Sequence, residues 1–391
     1  MAIPNVIINK GQGGLGRALI GEDHITGLIF FIANADLPSG FGTSDRIKEV
    51  FSIDEAEALG ITEGSATTGV LWYDVNEYFR QQPKGDLYIG LYDDTSPDLT
   101  SIELMQAFAN GKIRQIGVHD AGTTFAASAT TTLQASVANL NAVDMPLEVI
   151  YAADFSGVSN LSTLADLRAL SNPNVSVVLG EDGAGAGAAL AVSTSASVTA
   201  LGAVLGAVSL AAVNENVGWI AKFNFATTTE FEVPAMANGD LVKDLSASLL
   251  STLNDRGYIF LRKFVGIAGS YANDSNTCVT AANDFAYIEN NRVMNKAIRN
   301  VRVGLLPNLN SPILVNEDGT LSEETIAIFK NDADAALDQM LRDNEVSAKA
   351  IIIDPAQNVL TTSEVVVTVQ IVPVGVSRTI TVNISFTTSI T

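Results

Sequence analysis

Between residues 28 and 265 the apolar positions fall into short β-prone runs separated by stretches of helical spacing, the alternation expected of an α/β layer. Six runs read as strands: "LIFFIA", "LYIGLY", "IRQIGVH", "LEVIYA", "VSVVLG" and "YIFLRKF". Helices are expected between them at 53–59, 69–81, 101–110, 131–141, 161–170 and 241–254, as crossovers joining parallel strands. Beyond Phe264 the pattern changes to two long amphipathic helices, 284–303 and 321–342, followed by β structure. In the second helix Ile326, Phe329, Ala333, Leu337 and Met340 form the apolar stripe, with Thr320 and Glu323 spaced as a capping box. In the first, Met294, Ile298, Val301 and Leu305 make the apolar side. Arg292, Lys296 and Arg299 gather opposite them, as a solvated face or as a docking face for an acidic partner.

Both chain ends carry strand patterns without an evident sheet. The tail splits into segments 363–372 and 377–388 joined at Pro373-Val374-Gly375-Val376, which predicts a closing hairpin. Within it Ile380, Val382, Ile384 and Phe386 alternate with Thr381, Asn383, Ser385 and Thr387, so one face requires a hydrophobic platform. Removing residues from 376 onward would then bare Val365, Val367, Val369 and Ile371. The opening "IPNVIIN" is also short and β-prone, with Ile3, Val6, Ile7 and Ile8 as its apolar positions. It is followed by Gly11, Gly13, Gly14 and Gly16. Three of these spell G-x-G-x-x-G after an apolar run, with Asp36 about 20 positions further on, the layout of a dinucleotide loop. The segment after Gly16 is too short and too broken by Gly21-Glu22-Asp23 to present a helix N-terminus to phosphate. A glycine hinge between an arm and the body is the reading favoured here, and a nucleotide-dependent α/β enzyme is the alternative.

Composition narrows the function classes. Lys and Arg total 22 against 43 Asp and Glu, a net charge of −21 that repels nucleic acid and anionic lipid. The uncharged stretch 183–214 is long enough to cross a bilayer, yet its Ala, Gly, Ser and Thr gain little from lipid and no basic anchors flank it. It is read as a loop, 183–196, leading into an internal helix, 197–213, with no membrane insertion. Cys278 is the single cysteine and the N-terminus lacks a signal-peptide layout, so cytoplasmic assembly is expected. Only His24 and His119 are available, with no nucleophile elbow and no phosphate loop of the G-x-x-x-x-G-K type. Asp93, Asp94 and Asp98 are spaced unlike an EF-hand and read as turn residues. No catalytic residue, metal or cofactor is assigned.

The order of elements, together with "GSYANDSNTCVTAANDFAYIENNRVMNKAIRNVRVGLLP" (269–307), "FSIDEAEALGI" (51–61) and "ALGAVLGAVSLAAVNENVGWI" (200–220), resembles the tail sheath proteins of contractile bacteriophage tails and related contractile injection systems. Asp284, Arg292 and Asn295 to Arg299 fall where that family has an Asp-containing loop and a basic helix. The resemblance implies a structural subunit, not an enzyme, in a virion tail sheath built in the host bacterial cytoplasm. It implies an α/β body (22–235) after an arm and hinge (1–21), then a C-terminal α+β domain (236–391), with terminal strands exchanged between subunits. Implied partners are further copies in stacked hexameric rings, the inner tail tube protein, and the baseplate and tail terminator proteins. Contraction would drive the tube through an envelope. A static fibre or surface-layer subunit is a further alternative that would share exchanged strands but lack a shortened state.

Overall fold

The computed structural model describes residues 22–227 and 229–386. The arm residues Ile3, Val6, Ile7 and Ile8 and the hinge Gly11, Gly13, Gly14 and Gly16 lie outside them. The chain divides into two compact units, one holding residues up to Leu210 with Val217–Ile288, the other Ala211–Asn216 with Glu289 onward. This corrects the boundary expected at 235. The segment 236–288 completes the first unit, because its strands join that unit's sheets.

In chain order the first unit contains β1 (Ile25–Phe31), β2 (Ile47–Val50), α1 (Ile53–Ala58), α2 (Gly69–Gln81), β3 (Asp86–Tyr92), α3 (Ser101–Phe108), β4 (Gln115–Thr124), α4 (Ala127–Ala142) and β5 (Glu148–Asp154). It continues with β6 (Ser171–Asn172), β7 (Val175–Val178), β8 (Gly180–Asp182), α5 (Ala186–Thr194), α6 (Leu201–Leu210), β9 (Pro234–Met236) and α7 (Ala247–Asp255). It closes with β10 (Tyr258–Ile259), β11 (Leu261–Phe264), β12 (Ile267–Ala272) and β13 (Cys278–Val279). Seven strands form one sheet in the order β10-β7-β5-β4-β1-β3-β2, parallel except for β2. The chain steps from β1 to β3 on one side and then to β4 on the other, so the sheet is doubly wound with its switch point at β1. Every residue of β1 is buried, as expected of a strand covered on both faces.

The uncharged stretch resolves into α5 and α6. Residues 186–194, expected as loop, are helical, and α6 is buried along nearly its whole length. Its glycines set how closely it approaches α2: a Cβ on Gly202 would lie 2.1 Å from the Asp74 carbonyl oxygen, and one on Gly206 2.5 Å from that of Tyr78. The small residues therefore serve helix-to-helix contact. Among the described residues no helix is long and apolar enough to cross a membrane. The helix expected at 161–170 is instead two short 3-10 turns. Asn160 Oδ1 accepts from the Ser162 amide and Asp166 Oδ1 from the Arg168 amide, both at 2.9 Å, and these local bonds divert the backbone from a continuous helix.

The second unit contains α8 (Ile288–Leu305), α9 (Glu323–Arg342), β14 (Val346–Ile352), α10 (Val359–Thr362) and β15 (Thr368–Pro373). Its core gathers Val293 and Ala297 of α8, Ala333, Leu337 and Met340 of α9, and Val346 and Ile351 of β14, with Val367, Val369 and Ile371 packed against it. The cap of α9 is Ser322, whose Oγ accepts from the Thr325 amide at 3.2 Å; Thr320 instead donates to Asp318 in the preceding loop. The expected hairpin between 363–372 and 377–388 does not form among the described residues. β15 pairs antiparallel with β14, from Val346↔Pro373 to Ile352↔Thr368, and residues 374–386 form no strand. β14 lies over α9 on the same core, so it offers the first segment a partner that also covers its apolar face.

Candidate functional site

The basic stripe is redistributed by the fold of the second unit. Arg292 is buried and donates through Nη1 to the carbonyls of Ala211 and Ala212 at 3.2 and 3.3 Å. Lys296 pairs with Glu345 at 2.5 Å, and Arg299 is half-buried. The three therefore do not form the exposed docking face expected from a helical wheel. The buried side of α8 holds Asn291, Arg292, Val293, Asn295 and Ala297, whereas Ile298, assigned to the apolar side, is exposed. Polar side chains reach the interior because polar groups meet them there. Glu289, for example, accepts from Asn216 at 3.1 Å and from Arg378 at 2.5 Å.

Arg378 fixes where the tail departs. Beyond it Ile380, Val382, Ile384 and Phe386 are 79%, 70%, 91% and 109% exposed. They keep the every-second-residue spacing of a one-faced strand but rest on nothing within the described residues. The β14–β15 pair is a two-stranded sheet, so each strand keeps one outer edge without a strand neighbour among the described residues. Unpaired amides and carbonyls along such edges are a template for strand addition.

Next to β15, at the far end of α8, lies a groove of about 670 Å³. Leu305, Leu309, Phe329, Leu360, Val365 and Val367 supply apolar walls, and Arg302, Asn308 and Ser311 stand among its polar positions. Val367 belongs both to this groove and to the apolar layer packed on the core, so the groove continues the core past the end of the strand pair.

In the first unit the places where chemistry would be sought are filled by structural contacts. Asp36 lies exposed in a 3-10 turn, Asn34–Asp36. At the switch point Phe30 and His119 are register partners with rings in edge contact at 5.5 Å. His119 Nδ1 meets Asp74 Oδ2 at 2.5 Å, both residues fully buried, and Asp74 Oδ1 accepts from the Gly202 amide at 3.2 Å. This pair of α2 and β4 residues was not legible in the sequence, where the two are 45 positions apart. Cys278 is buried, and desolvation pushes its thiol up to about 12, leaving no thiolate for chemistry. Asp93 and Asp98 each accept from the amide and hydroxyl of the Thr two positions on. Among the described residues no group of three or more His, Cys, Asp or Glu could hold a metal ion.

The chain matches the N-terminal domain of DUF2586 over residues 3–276 and its C-terminal domain over 284–391. No curated protein sequence matches it. Among solved structures it is similar to a chain of the extracellular contractile injection system PVC sheath complex in the contracted state, at 14% identity and a TM-score of 0.62, with 98% of each chain covered. A chain of the anti-feeding prophage baseplate gives 14% identity and a TM-score of 0.61, covering 98% of this chain and 99% of that one. The sheath tail protein of Desulfitobacterium hafniense gives 11% and 0.52, covering 95% and 100%. The fold is that of contractile sheath proteins, and the α/β assignment read from the sequence holds.

Proposed function

The chain belongs to the DUF2586 family, and from that premise we propose that it is a structural subunit of a contractile sheath, polymerising as stacked six-membered rings around an inner tube and shortening to drive the tube forward. The observation that carries this is the likeness of fold along 98% of the chain to a sheath complex. Host cytoplasmic assembly, attachment to a baseplate and to a tail terminator, and a role without catalysis or cofactor belong to the same reading.

Subunits are linked by exchanged terminal strands. The segment from Ile380 to Phe386 adds to an open edge of the β14–β15 pair of a second copy, with apolar side chains reaching the groove beside Val365 and Val367. The arm carrying Ile3, Val6, Ile7 and Ile8 plays the matching part at the other end, with Gly11, Gly13, Gly14 and Gly16 as its hinge. Arg292 supports α8 from within and is not itself a docking residue.

Negative-stain imaging of the purified chain, alone and with its tube protein, tests the reading. Ordered ridged tubes are expected from the full chain and none from a chain lacking residues 1–10. Absence of tubes from the full chain with its tube protein would overturn the sheath assignment. Tubes of full length from the truncated chain would overturn only the role of the arm. Saturable nucleotide binding would favour the enzyme alternative, and tubes of a single fixed length would favour a static polymer.

A further inference from the structure

The first unit contains a group of buried carboxyls that the sheath assignment does not use. Asp182, at the end of β8, is 1% exposed; its Oδ1 accepts from the amides of Ala184 and Phe231 at 3.3 and 3.1 Å, while its Oδ2 has no partner. Glu230 accepts from the amide of Ala186, the first residue of α5, at 3.2 and 3.1 Å, and from the Tyr73 hydroxyl at 3.4 Å. The unpartnered Asp182 oxygen and the Glu230 carboxylate crowd one point: a Cβ on Gly185 would sit 2.3 Å from the first and 2.7 Å from the second. Two carboxylates this close in a desolvated site cannot both remain charged without cost.

We propose that Asp182 and Glu230 share one proton, and that this proton latches the N-terminus of α5 to the body, so that its loss releases the helix. With Asp182 protonated, its Oδ2 donates to Glu230, and the Glu230 carboxylate stays seated on the Ala186 amide, where an anion also suits the positive end of the helix. With both ionised, repulsion moves Glu230 off that amide.

The neighbouring groups add to this effect. From α2, Tyr73 and Glu77 face the pair, Asp74 lying beside them with its carboxyl on His119 and the Gly202 amide, and Arg80, the nearby cation, is bonded to Glu77 and lies 5.7 Å over the Phe231 ring. From β8, Glu181 adds a further acid. Burial first, then the hydrogen bond to Glu230, pushes Asp182 up to about 7. Burial, then the charge of Asp182, pushes Glu181 up to about 8. Both acids hold their protons more tightly folded than unfolded, so stability falls as pH rises from the ordinary carboxyl range through these values and levels off above them.

Hydrogen exchange of the 186–194 amides in the full-length chain, read as protection factors at pH 6 and pH 8.5, tests the latch. Protection of α5 is expected to fall about tenfold or more at the higher pH, while β1 and β4 keep theirs. Asp182→Asn, whose amide donates to Glu230 at any pH, should hold α5 protected at both. Glu230→Gln provides the same test from the other side should the first variant fold poorly. Equal protection of wild-type α5 at the two pH values, or the same loss in both variants, would overturn the proposal.

Discussion

At the scale of single residues, close approach rather than chemistry decides what is tolerated. Gly202→Ala would press a methyl into the Asp74 backbone, and because α6 is packed inside the unit it has little room to withdraw. We expect a loss of about 1–3 kcal/mol in urea unfolding. Gly122→Ala, with nothing within 4 Å, should stay within about 0.5 kcal/mol. Cys278 is expected to resist an aromatic disulfide reagent at pH 8 until denaturant opens the first unit, a reading any absorbance trace provides. Both sites were partly legible. The glycine-rich run announced an internal helix, and a lone cysteine without activating neighbours announced an inert thiol. The Asp74–His119 pair was not, because residues on a helix and a strand meet only once the crossover has folded.

At the scale of elements, local signals held where no side chain competed with the backbone. α2 occupies 69–81 as its periodicity indicates, and the central parallel strands follow their apolar runs. The failures have physical reasons. Asn160 and Asp166 capture amides that a helix would have used; on α8 Val301 and Leu305 pack on the core as their spacing indicates, whereas Ile298 is exposed and Arg292 and Asn295 are buried in polar surroundings that a wheel cannot display. The cap lies two residues past Thr320, since Thr320 is bound to Asp318 and Ser322 Oγ accepts from the Thr325 amide. Ser322→Ala should therefore cost about 1 kcal/mol in the unfolding of the second unit. Thr320→Ala should change stability by no more than about 0.5 kcal/mol.

At the scale of the whole molecule, the alternation of Ile380 to Phe386 was readable as a strand, but its partner was not, because pattern fixes which face is apolar and not what lies against it. The correction changes what truncation does. Val367, Val369 and Ile371 are packed on their own core through β15, so deleting residues 376–391 removes exposed apolar surface instead of baring a buried face. The shortened chain is expected to sediment as a single soluble species and melt cooperatively, while failing to form tubes. Aggregation on truncation would show that the tail shields β15 after all.

The tie between Arg378 and Glu289 also determines how a pull on the tail would be borne. A tug transmitted straight to Pro373 would unzip β15 from β14 one hydrogen bond at a time, the weakest way to load an antiparallel pair. The ion pair intercepts that force five residues earlier in its path and delivers it to the first turn of α8, a helix rooted in the core through Val293 and Ala297. It acts as the strain relief on a cable does, taking the load before the joint.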